Sequence, residues 1–288
     1  MNTVSAPTLT PSQASAATAD LRLAAIDLDG TLLGADHQVG LENRRAVARL
    51  IEAGYEVVLA SGRHFLSMRP YAEQLPGVHW LVAAQGGEVS DIRRTHVLER
   101  HLLAREQLAA IVAILQRRGV SALYYAPEGI LTDSPASESL EFYTTLSGNV
   151  LQPLTTAELQ TRSVFKVVSA GTPEVIDELI ASADVAALDL QRVRTHRRFF
   201  EFMPWGVTKA TGLRALTTHL GLAAGNVVAF GDADNDVPMF QWAGFSYAMP
   251  HGWPSAKAHA RRIAPEGDPD SAFARAVDAL LSGERSTR

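Results

Sequence analysis

Short apolar runs alternate along the chain with segments whose apolar residues recur at helical spacing. The runs LAAI (23–26), VVLA (57–60) and VVAF (227–230) contain no polar residue, as is typical of parallel strands buried on both faces. Between the first two, residues 40–54 have the 3.6-residue periodicity of a helix, and Gly54 is a suitable C-terminal cap. This alternation predicts an α/β fold with a Rossmann-like parallel sheet.

The rhythm changes between residues 87 and 205, where two strand-helix-strand units follow one another. Two such units in succession predict a separate α/β domain with its own sheet, inserted into the first domain. The first domain then consists of residues 21–86 and 206–288. Within the insert we expect strands over residues 96–102, 120–126, 163–170 and 185–193, and helices over residues 105–119 and 173–183.

Composition narrows the class of protein. The chain has 288 residues, 47% of them apolar, which is enough for one large or two modest globular domains. A net charge of −5 without a basic tract argues against a surface for nucleic acid or anionic membranes. The sequence contains no cysteine, which excludes disulfides and thiolate metal sites. The apolar runs are far shorter than the roughly 20 residues that span a bilayer.

The first twenty residues are rich in Ser, Thr, Ala and Pro and contain no Lys or Arg. A secretory signal needs a basic start followed by an apolar stretch, and neither is present in this segment. We therefore expect residues 1–20 to form a disordered tail and the protein to be cytoplasmic.

Polar residues follow directly on the three buried runs. Asp27 and Asp29 follow LAAI, Ser61 follows VVLA, and Asp232 follows VVAF. In an open parallel sheet the active site lies beyond the carboxyl ends of the strands. We therefore expect these four side chains to converge in one crevice.

The segment DLDGT (27–31) has the residue types that phosphate chemistry with a divalent cation requires. Asp27 and Asp29 are two residues apart, so both can face one site while Leu28 faces the core. Two close carboxylates repel each other unless a cation intervenes, and Mg²⁺ prefers a few carboxylates together with waters and substrate oxygens. Gly30 lets the backbone turn so that N–H groups point at an anion. A lone pair of aspartates is more typical of a loop cap, but the full segment after an apolar strand favours a magnesium site.

This segment resembles the first motif of the haloacid dehalogenase-like (HAD) hydrolase superfamily, and three further motifs follow in order. Ser61 in LASGR is similar to the second motif and Lys209 in GVTKATGL to the third. GDADND (231–236) is similar to the fourth, an acidic metal-binding loop. With its insert after the third strand, the chain resembles the Cof-like branch, which has a type IIB α/β cap. The resemblance extends from residue 21 to about residue 282.

The resemblance implies a role for each motif residue. Asp27 would be the nucleophile and a metal ligand. Asp29 would be the general acid and base, with its backbone carbonyl on the metal, and Asp232 would complete the protein ligands of Mg²⁺. Other residues would hold the phosphoryl group or support the site. The phosphate-binding set is Leu28 through its N–H group, Ser61, Gly62, Lys209 and Asn235, and the supporting pair is Asp236 and Arg63.

These roles are consistent with phosphoryl-transfer chemistry. A carboxylate nucleophile divides one difficult displacement into two easier ones, and positioned charges provide most of the remaining stabilisation. The resemblance thus implies an Mg²⁺-dependent phosphatase that acts through an aspartyl-phosphate on a small phosphorylated metabolite, such as a sugar phosphate. We expect the insert to cover the crevice and to favour small soluble phosphates over phosphoproteins or nucleic-acid ends.

Other functions are compatible with the same residues. A phosphomutase or phosphotransferase would pass the phosphoryl group to a second hydroxyl, and a catalytically silent protein would only bind phosphate. GDADND could be a calcium loop, but the Glu that an EF-hand requires does not follow at the right spacing. Dehalogenation would leave Asp29 and the metal ligands without a function.

Two features allow more than one interpretation. Cof-like proteins usually have Asn-Gly after the third strand, whereas this chain has Gln85-Gly86, and the longer amide could reshape the mouth of the site. Basic residues of the insert could bind a second anionic group of the substrate or simply form a solvated strand face, which we favour. These residues are His96, Arg192, Arg194, His196, Arg197 and Arg198, and His64 beside Arg63 is a similar case. The sequence makes no prediction of the oligomeric state.

Overall fold

The computed structural model of the protein describes residues 21–283, and the tail expected over residues 1–20 lies outside the described residues. The chain divides into two compact units. The core unit consists of residues 21–62, 68–98 and 208–283, and the inserted unit consists of residues 63–67 and 99–207. Strands are numbered β1 to β14 and helices α1 to α11 along the chain.

Within the described residues, the core unit is built on a sheet of eight strands, one of which crosses the boundary after Leu98. These are β1 (Leu23–Ile26), β2 (Glu56–Ala60), β3 (Val78–Ala83), β4 (Glu88–Asp91), β5 (Val97–Arg100), β12 (Val227–Gly231), β13 (Phe245–Ala248) and β14 (Arg262–Ile263). Their order is β14-β13-β12-β1-β2-β3-β4-β5. Neighbours from β14 to β3 are parallel, and β4 returns antiparallel to β3. The predicted α/β fold with a parallel sheet is therefore confirmed.

Helices pack on the core sheet through alternate strand residues. The helices of the core unit are α1 (Leu41–Glu52), α2 (Phe65–Glu73, of which the part from Met68 belongs to this unit), α8 (Lys209–Leu220), α9 (Val237–Trp242), α10 (Pro254–His259) and α11 (Ala272–Leu281). Leu23 and Ala25 of β1 point to one face, where they join Leu213 of α8 and Met239 of α9 in a buried cluster. The periodicity of two in a strand produces this division. Because the central strands are parallel, their carboxyl ends lie at a common edge of the sheet.

The inserted unit has its own sheet and core. Its strands are β6 (Ser121–Ala126), β7 (Gly129–Thr132), β8 (Leu151–Pro153), β9 (Lys166–Ala170), β10 (Gln191–His196) and β11 (Phe199–Met203), in the order β10-β11-β9-β6-β7-β8. Its helices are α3 (Arg105–Arg118), α4 (Glu138–Ser147), α5 (Thr156–Leu159), α6 (Pro173–Ala181) and α7 (Ala183–Ala186). Ile111 of α3 and Ile176 of α6 belong to the buried cluster on this sheet. Lys166 and Glu201 form a buried ion pair at 2.8 Å.

The inserted unit begins later in the chain than the sequence indicates. The expected boundary is residue 87, but β4 still belongs to the core unit because it pairs with β3 from Trp80↔Asp91 to Ala83↔Glu88. The division falls after Leu98 instead, and on the far side between residues 207 and 208 rather than 205 and 206. His96, which we placed in the insert, therefore belongs to the core unit.

The strand predicted over residues 185–193 is wrong over its first half. Residues Ala183–Ala186 form α7, and the strand covers Gln191–His196. Val185 and Leu190 are both buried, and a short apolar run fits a buried helical turn as well as a strand. Five further elements of the insert, β7, β8, β11, α4 and α5, were not predicted. None of the helices in the described part of the chain has the length and apolar character needed to cross a membrane.

Candidate active site

Asp27 lies at the carboxyl end of β1. Its N–H group extends the sheet by donating to the Phe230 carbonyl of β12 at 3.0 Å. The residue is only 4% exposed, and Oδ1 accepts a hydrogen bond from Lys209 Nζ at 2.5 Å. A buried carboxylate is thereby held against a fixed cation.

Lys209 is the first residue of α8, a helix capped by the Thr208 side chain, which accepts from the Thr211 N–H group at 3.3 Å. Its ammonium group is fully buried and donates to Asp236 Oδ1 at 2.6 Å as well as to Asp27. Burial alone would lower the pKa of Lys209, but the Asp236 and Asp27 carboxylates raise it above its ordinary value. Lys209 is therefore a permanent cation between two carboxylates.

The acidic loop after β12 is organised around Asp236. Its Oδ2 accepts hydrogen bonds from the N–H groups of Asp232 at 2.8 Å and Ala233 at 3.0 Å. A Cβ at Gly231 would lie 2.4 Å from Asp236 Cγ, so glycine leaves the space that this carboxylate occupies. Through its two oxygens, Asp236 couples the backbone of the loop to Lys209.

The carboxylates of Asp27, Asp232 and Asp236 place ligand oxygens within 4.8 Å of one another. Burial, reinforced by repulsion from Asp236 and opposed by Lys209, raises the pKa of Asp27 well above its usual range. Burial and Asp236 raise the pKa of Asp232 to about 7. One ammonium group does not balance three clustered carboxylates. The donor set therefore fits a divalent cation, which would favour the charged form of each carboxylate.

Asp27 and Asp232 are the members of this cluster best suited to hold a cation, because both oxygens of Asp236 already accept hydrogen bonds. Gly30 lets the first and fourth motifs approach each other. Its φ is +76°, and a Cβ there would lie 2.4 Å from Asp232 Oδ2. Only glycine combines that backbone conformation with that close contact.

The Asp29 side chain lies outside the three-carboxylate cluster. It is about half exposed, with Oδ1 3.8 Å from His37 Nδ1, and it contributes a weaker repulsion to the raised pKa values of Asp27 and Asp232. The sequence assigned Asp29 to the metal through its backbone carbonyl. The third side-chain carboxylate of the cluster is that of Asp236 and not that of Asp29. The sequence had given Asp236 only a supporting role.

Ser61 and Gly62 follow β2 and pack against the turn that follows β3. The Ser61 N–H group donates to the Val82 carbonyl at 2.9 Å, and the Ser61 carbonyl accepts from the Gln85 N–H group at 3.0 Å. The Gln85 amide covers Gly62, where a Cβ would lie 2.6 Å from Nε2. Gln85 Oε1 accepts from Asn235 Nδ2 at 3.3 Å. The second and fourth motifs therefore meet at Gln85, a contact that the sequence did not reveal.

Two other predicted residues have different surroundings. Leu28 is fully buried, and its carbonyl accepts from the N–H groups of Leu32 at 3.0 Å and Leu33 at 2.9 Å, so the chain turns back at this point. Arg63 belongs to the inserted unit together with His64, whose Nε2 lies 2.7 Å from the Ala126 carbonyl. The structure does not place Arg63 among the core-unit residues of the site.

The segment after β13 completes the surroundings of the acidic loop, and sequence reasoning missed it. His251 Nε2 lies 2.8 Å from the Gly30 carbonyl, and the Trp253 N–H group donates to the Asp232 carbonyl at 2.7 Å. The signal was present in the sequence, because FSYAMP also predicts a parallel strand. Its carboxyl end lies at the same edge of the sheet as the ends of β1, β2 and β12.

Basic residues near the end of the insert have partners within the inserted unit. Arg194 contacts Asp177 at 2.6 Å, and Arg198 contacts Glu138 at 3.0 Å. Burial and the neighbouring arginines lower the pKa of His196. These contacts favour the structural interpretation of the basic residues over a role in binding a second anionic group.

Comparison with known proteins identifies relatives over most of the chain. The sequence matches the family of haloacid dehalogenase-like hydrolases over residues 24–276. An HMP-PP phosphatase from Escherichia coli O8 is 31% identical over 247 residues, which cover 82% of this chain and 87% of the relative. A haloacid dehalogenase-like hydrolase from Bacteroides thetaiotaomicron has the same fold, with a TM-score of 0.77, 24% identity, and coverage of 92% of this chain and 100% of that one. A HAD subclass IIB sugar phosphatase has a TM-score of 0.79 at 19% identity, covering 91% of this chain and 99% of the other.

Proposed function

The chain belongs to the haloacid dehalogenase-like hydrolase family, and on this basis we propose that it is an Mg²⁺-dependent phosphatase of a small phosphorylated metabolite. It is a HAD-type phosphatase, the activity for which the Escherichia coli relative is named. The observation that carries the mechanism is the buried Asp27 carboxylate, bonded to Lys209 at 2.5 Å and clustered with Asp232 and Asp236.

In the first step, an Asp27 oxygen attacks the phosphorus atom of the substrate. The bond from phosphorus to the ester oxygen breaks, and Asp27 becomes an aspartyl-phosphate. Asp29 donates its proton to the departing alkoxide, so that the alcohol leaves neutral. Lys209 stays charged throughout, because two carboxylates hold its proton, and it offsets part of the negative charge around the phosphoryl group.

In the second step, Asp29 takes a proton from a water molecule, and the water oxygen attacks the same phosphorus atom. The acyl-phosphate bond breaks, which returns Asp27 as a carboxylate and releases inorganic phosphate. The half-exposed Asp29 side chain is suited to this exchange, since a carboxyl group open to solvent can both lose and regain a proton. Asp27 is buried, and its carboxylate is therefore shielded from proton exchange with bulk water.

Asp27 and Asp232 would hold Mg²⁺ together with the Asp29 carbonyl, and Asp236 would hold the loop that carries Asp232. When bound, Mg²⁺ supplies positive charge to the phosphoryl oxygens and removes the mutual repulsion of the carboxylates. The chain's own contribution is to keep both ligands close and Lys209 immobile.

The substrate of the Escherichia coli relative, HMP-PP, is the first compound to test among small phosphorylated metabolites, with sugar phosphates next. We include a cytoplasmic location in the proposal. The test is release of inorganic phosphate from an aryl phosphate and from this panel, with and without Mg²⁺. We expect turnover that requires Mg²⁺ and stops when a chelator is added in excess.

Unchanged turnover in excess chelator would reject the metal assignment. Interconversion of sugar-phosphate isomers in the presence of a bisphosphate, without net phosphate release, would instead identify a phosphomutase. Binding of phosphate without turnover of any ester would identify a silent phosphate-binding protein.

A further inference from the structure

The turn between β3 and β4 has an unusual backbone and a buried side chain. Ala84 and Gln85 both have positive φ, at 51° and 62°, and neither is a glycine. Gln85 is nevertheless 4% exposed. Non-glycine residues rarely adopt this conformation, and they keep it where surrounding contacts hold them, often at functional sites. The position of the Gln85 side chain is therefore maintained at a cost.

Three contacts hold Gln85 in place. Its N–H group donates to the Ser61 carbonyl at 3.0 Å, and its Oε1 accepts from Asn235 Nδ2 at 3.3 Å. The next residue, Gly86, lies so close to α8 that a Cβ there would be 2.2 Å from the Thr208 carbonyl. The turn thus touches three of the segments that position Ser61, Asn235 and Lys209.

The amide nitrogen of Gln85 has no such contact. With Oε1 bonded to Asn235, Nε2 is the end of the amide that lies over Gly62. Among residues 21–283, no acceptor is within hydrogen-bond distance of Nε2. An amide nitrogen that lies over Gly62, next to Ser61, and donates no hydrogen bond within the described residues is placed to receive an acceptor from a ligand.

We propose that Gln85 is a substrate-binding residue whose Nε2 donates a hydrogen bond to a phosphoryl oxygen while Asn235 holds Oε1. The inference rests on the proposed phosphatase function and gives a specific role to Gln85, for which the sequence indicated only an effect on the mouth of the site. A phosphoryl group presents only acceptor oxygens, which matches an open N–H donor. Gly62 is required in this arrangement because any side chain there would displace the amide.

The test compares Gln85→Leu and Gln85→Glu with the wild type in the presence of Mg²⁺. Inorganic phosphate is the probe, and its dissociation constant is measured by calorimetry and as an inhibition constant against an aryl phosphate. Loss of a hydrogen bond to a charged group should weaken phosphate binding about tenfold in Gln85→Leu. Gln85→Glu should weaken it further, because a carboxylate would face the phosphate.

Matched controls use Gln241, an exposed residue of α9. Gln241→Leu and Gln241→Glu should leave the phosphate dissociation constant unchanged. Gln85→Asn covers the case in which the larger changes prevent folding, because asparagine tolerates positive φ while its shorter side chain withdraws the donor. We expect weaker phosphate binding in that variant also, with urea unfolding close to that of the wild type.

The outcomes separate this inference from the proposed function. Turnover with a phosphate dissociation constant unchanged in all folded Gln85 variants would overturn the inference and leave the phosphatase standing. Phosphate binding that depends on Gln85, without turnover of any ester, would overturn the proposed catalysis and support the inference. A wild type that binds no phosphate would overturn the inference, and if it also turned over no ester it would overturn the proposed function.

Discussion

At the scale of single residues, Lys209 is the charge on which the site depends. It is fully buried and donates to Asp27 and Asp236 at 2.5 and 2.6 Å. Lys209→Met should lower the free energy of unfolding of the metal-free protein by about 3–5 kcal/mol at pH 8, since two buried carboxylates lose their cation. The loss should shrink as pH falls, because Asp27, whose pKa is raised by burial, then takes up a proton. Urea unfolding between pH 5 and 8 measures both effects.

The control for this substitution is Arg45→Met. Arg45 also forms an ion pair, with Glu42 at 2.9 Å, but both side chains are more than half exposed. An exposed pair of this kind contributes about 0.5 kcal/mol or less. Equal losses in the two variants would mean that burial does not determine the contribution of the Lys209 pair.

The two aspartates of the first motif should differ in their kinetic roles. Asp27→Asn should form no phosphoenzyme, because the amide is a poor nucleophile. Asp29→Asn should retain Mg²⁺ binding but lose about 10²–10⁴ in kcat, the usual contribution of a general acid.

Acid quenching with labelled substrate, followed by peptide mapping, locates the phosphate. Asp177→Asn, on an exposed side chain of the inserted unit, should behave as the wild type. Label on a residue other than Asp27 would contradict the mechanism.

At the scale of elements, the turn after β3 fixes the start of α8. Gly86 has a φ of +97°, and a Cβ there would lie 2.2 Å from the Thr208 carbonyl. Gly86→Ala should therefore lower the free energy of unfolding by about 1–3 kcal/mol from overpacking, in addition to the backbone strain. It should also reduce kcat, because Thr208 caps the helix that begins with Lys209.

Gly54→Ala is the matched control for the element-scale prediction. Gly54 has a similar φ of +88°, but no atom lies within 4 Å of a Cβ placed there. It should show the backbone strain of an L-residue at positive φ without the clash. If the two variants lose equal stability and Gly86→Ala keeps full activity, the turn does not position α8.

At the scale of the whole molecule, the carboxylate cluster should make stability depend on pH and on Mg²⁺. The pKa of Asp232 is raised to about 7 in the metal-free fold, mainly by burial, whereas an unfolded aspartate titrates near about 3.9. The native state then binds more protons than the unfolded state between these values. The stabilisation from this group is complete below the unfolded pKa and is lost as pH rises through the folded pKa.

The metal-free protein should therefore lose about 1.4 kcal/mol of stability per pH unit from Asp232 between pH 5 and 7. Saturating Mg²⁺ should flatten this slope, because binding a cation requires the deprotonated form. Thermal unfolding over this pH range, with chelator or with Mg²⁺, measures the difference. A slope that is the same in both conditions would show that Asp232 does not contribute to the metal site.

Local pattern alone identified the three central strands of the core sheet and the residues at their ends. LAAI, VVLA and VVAF are continuous apolar runs, which is how strands buried on both faces read. The carboxyl ends of parallel strands share one edge of the sheet, and so the sequence alone groups the polar residues that follow, Asp27, Asp29, Ser61 and Asp232. The same reasoning placed residues 88–98 in the wrong domain and predicted a strand over residues 185–190. Such short segments can pair with either sheet, or form a helical turn instead of a strand.

The contacts that build the site were decided by the tertiary structure. Asp27 and Lys209 are 182 positions apart and Gln85 and Asn235 are 150 apart, and no local periodicity encodes either pair. The packing of helices and turns around the strand ends decides three further features. It leaves Asp29 half exposed, it gives both Asp236 oxygens hydrogen-bond donors, and it leaves Gln85 Nε2 without an acceptor within the described residues. Sequence pattern determines which residues can reach the edge of the sheet, because periodicity fixes side-chain direction within an element. Which of them touch depends on the order of the strands and the placement of the helices, since hydrogen bonds and burial form only between groups that the complete fold brings within a few ångströms.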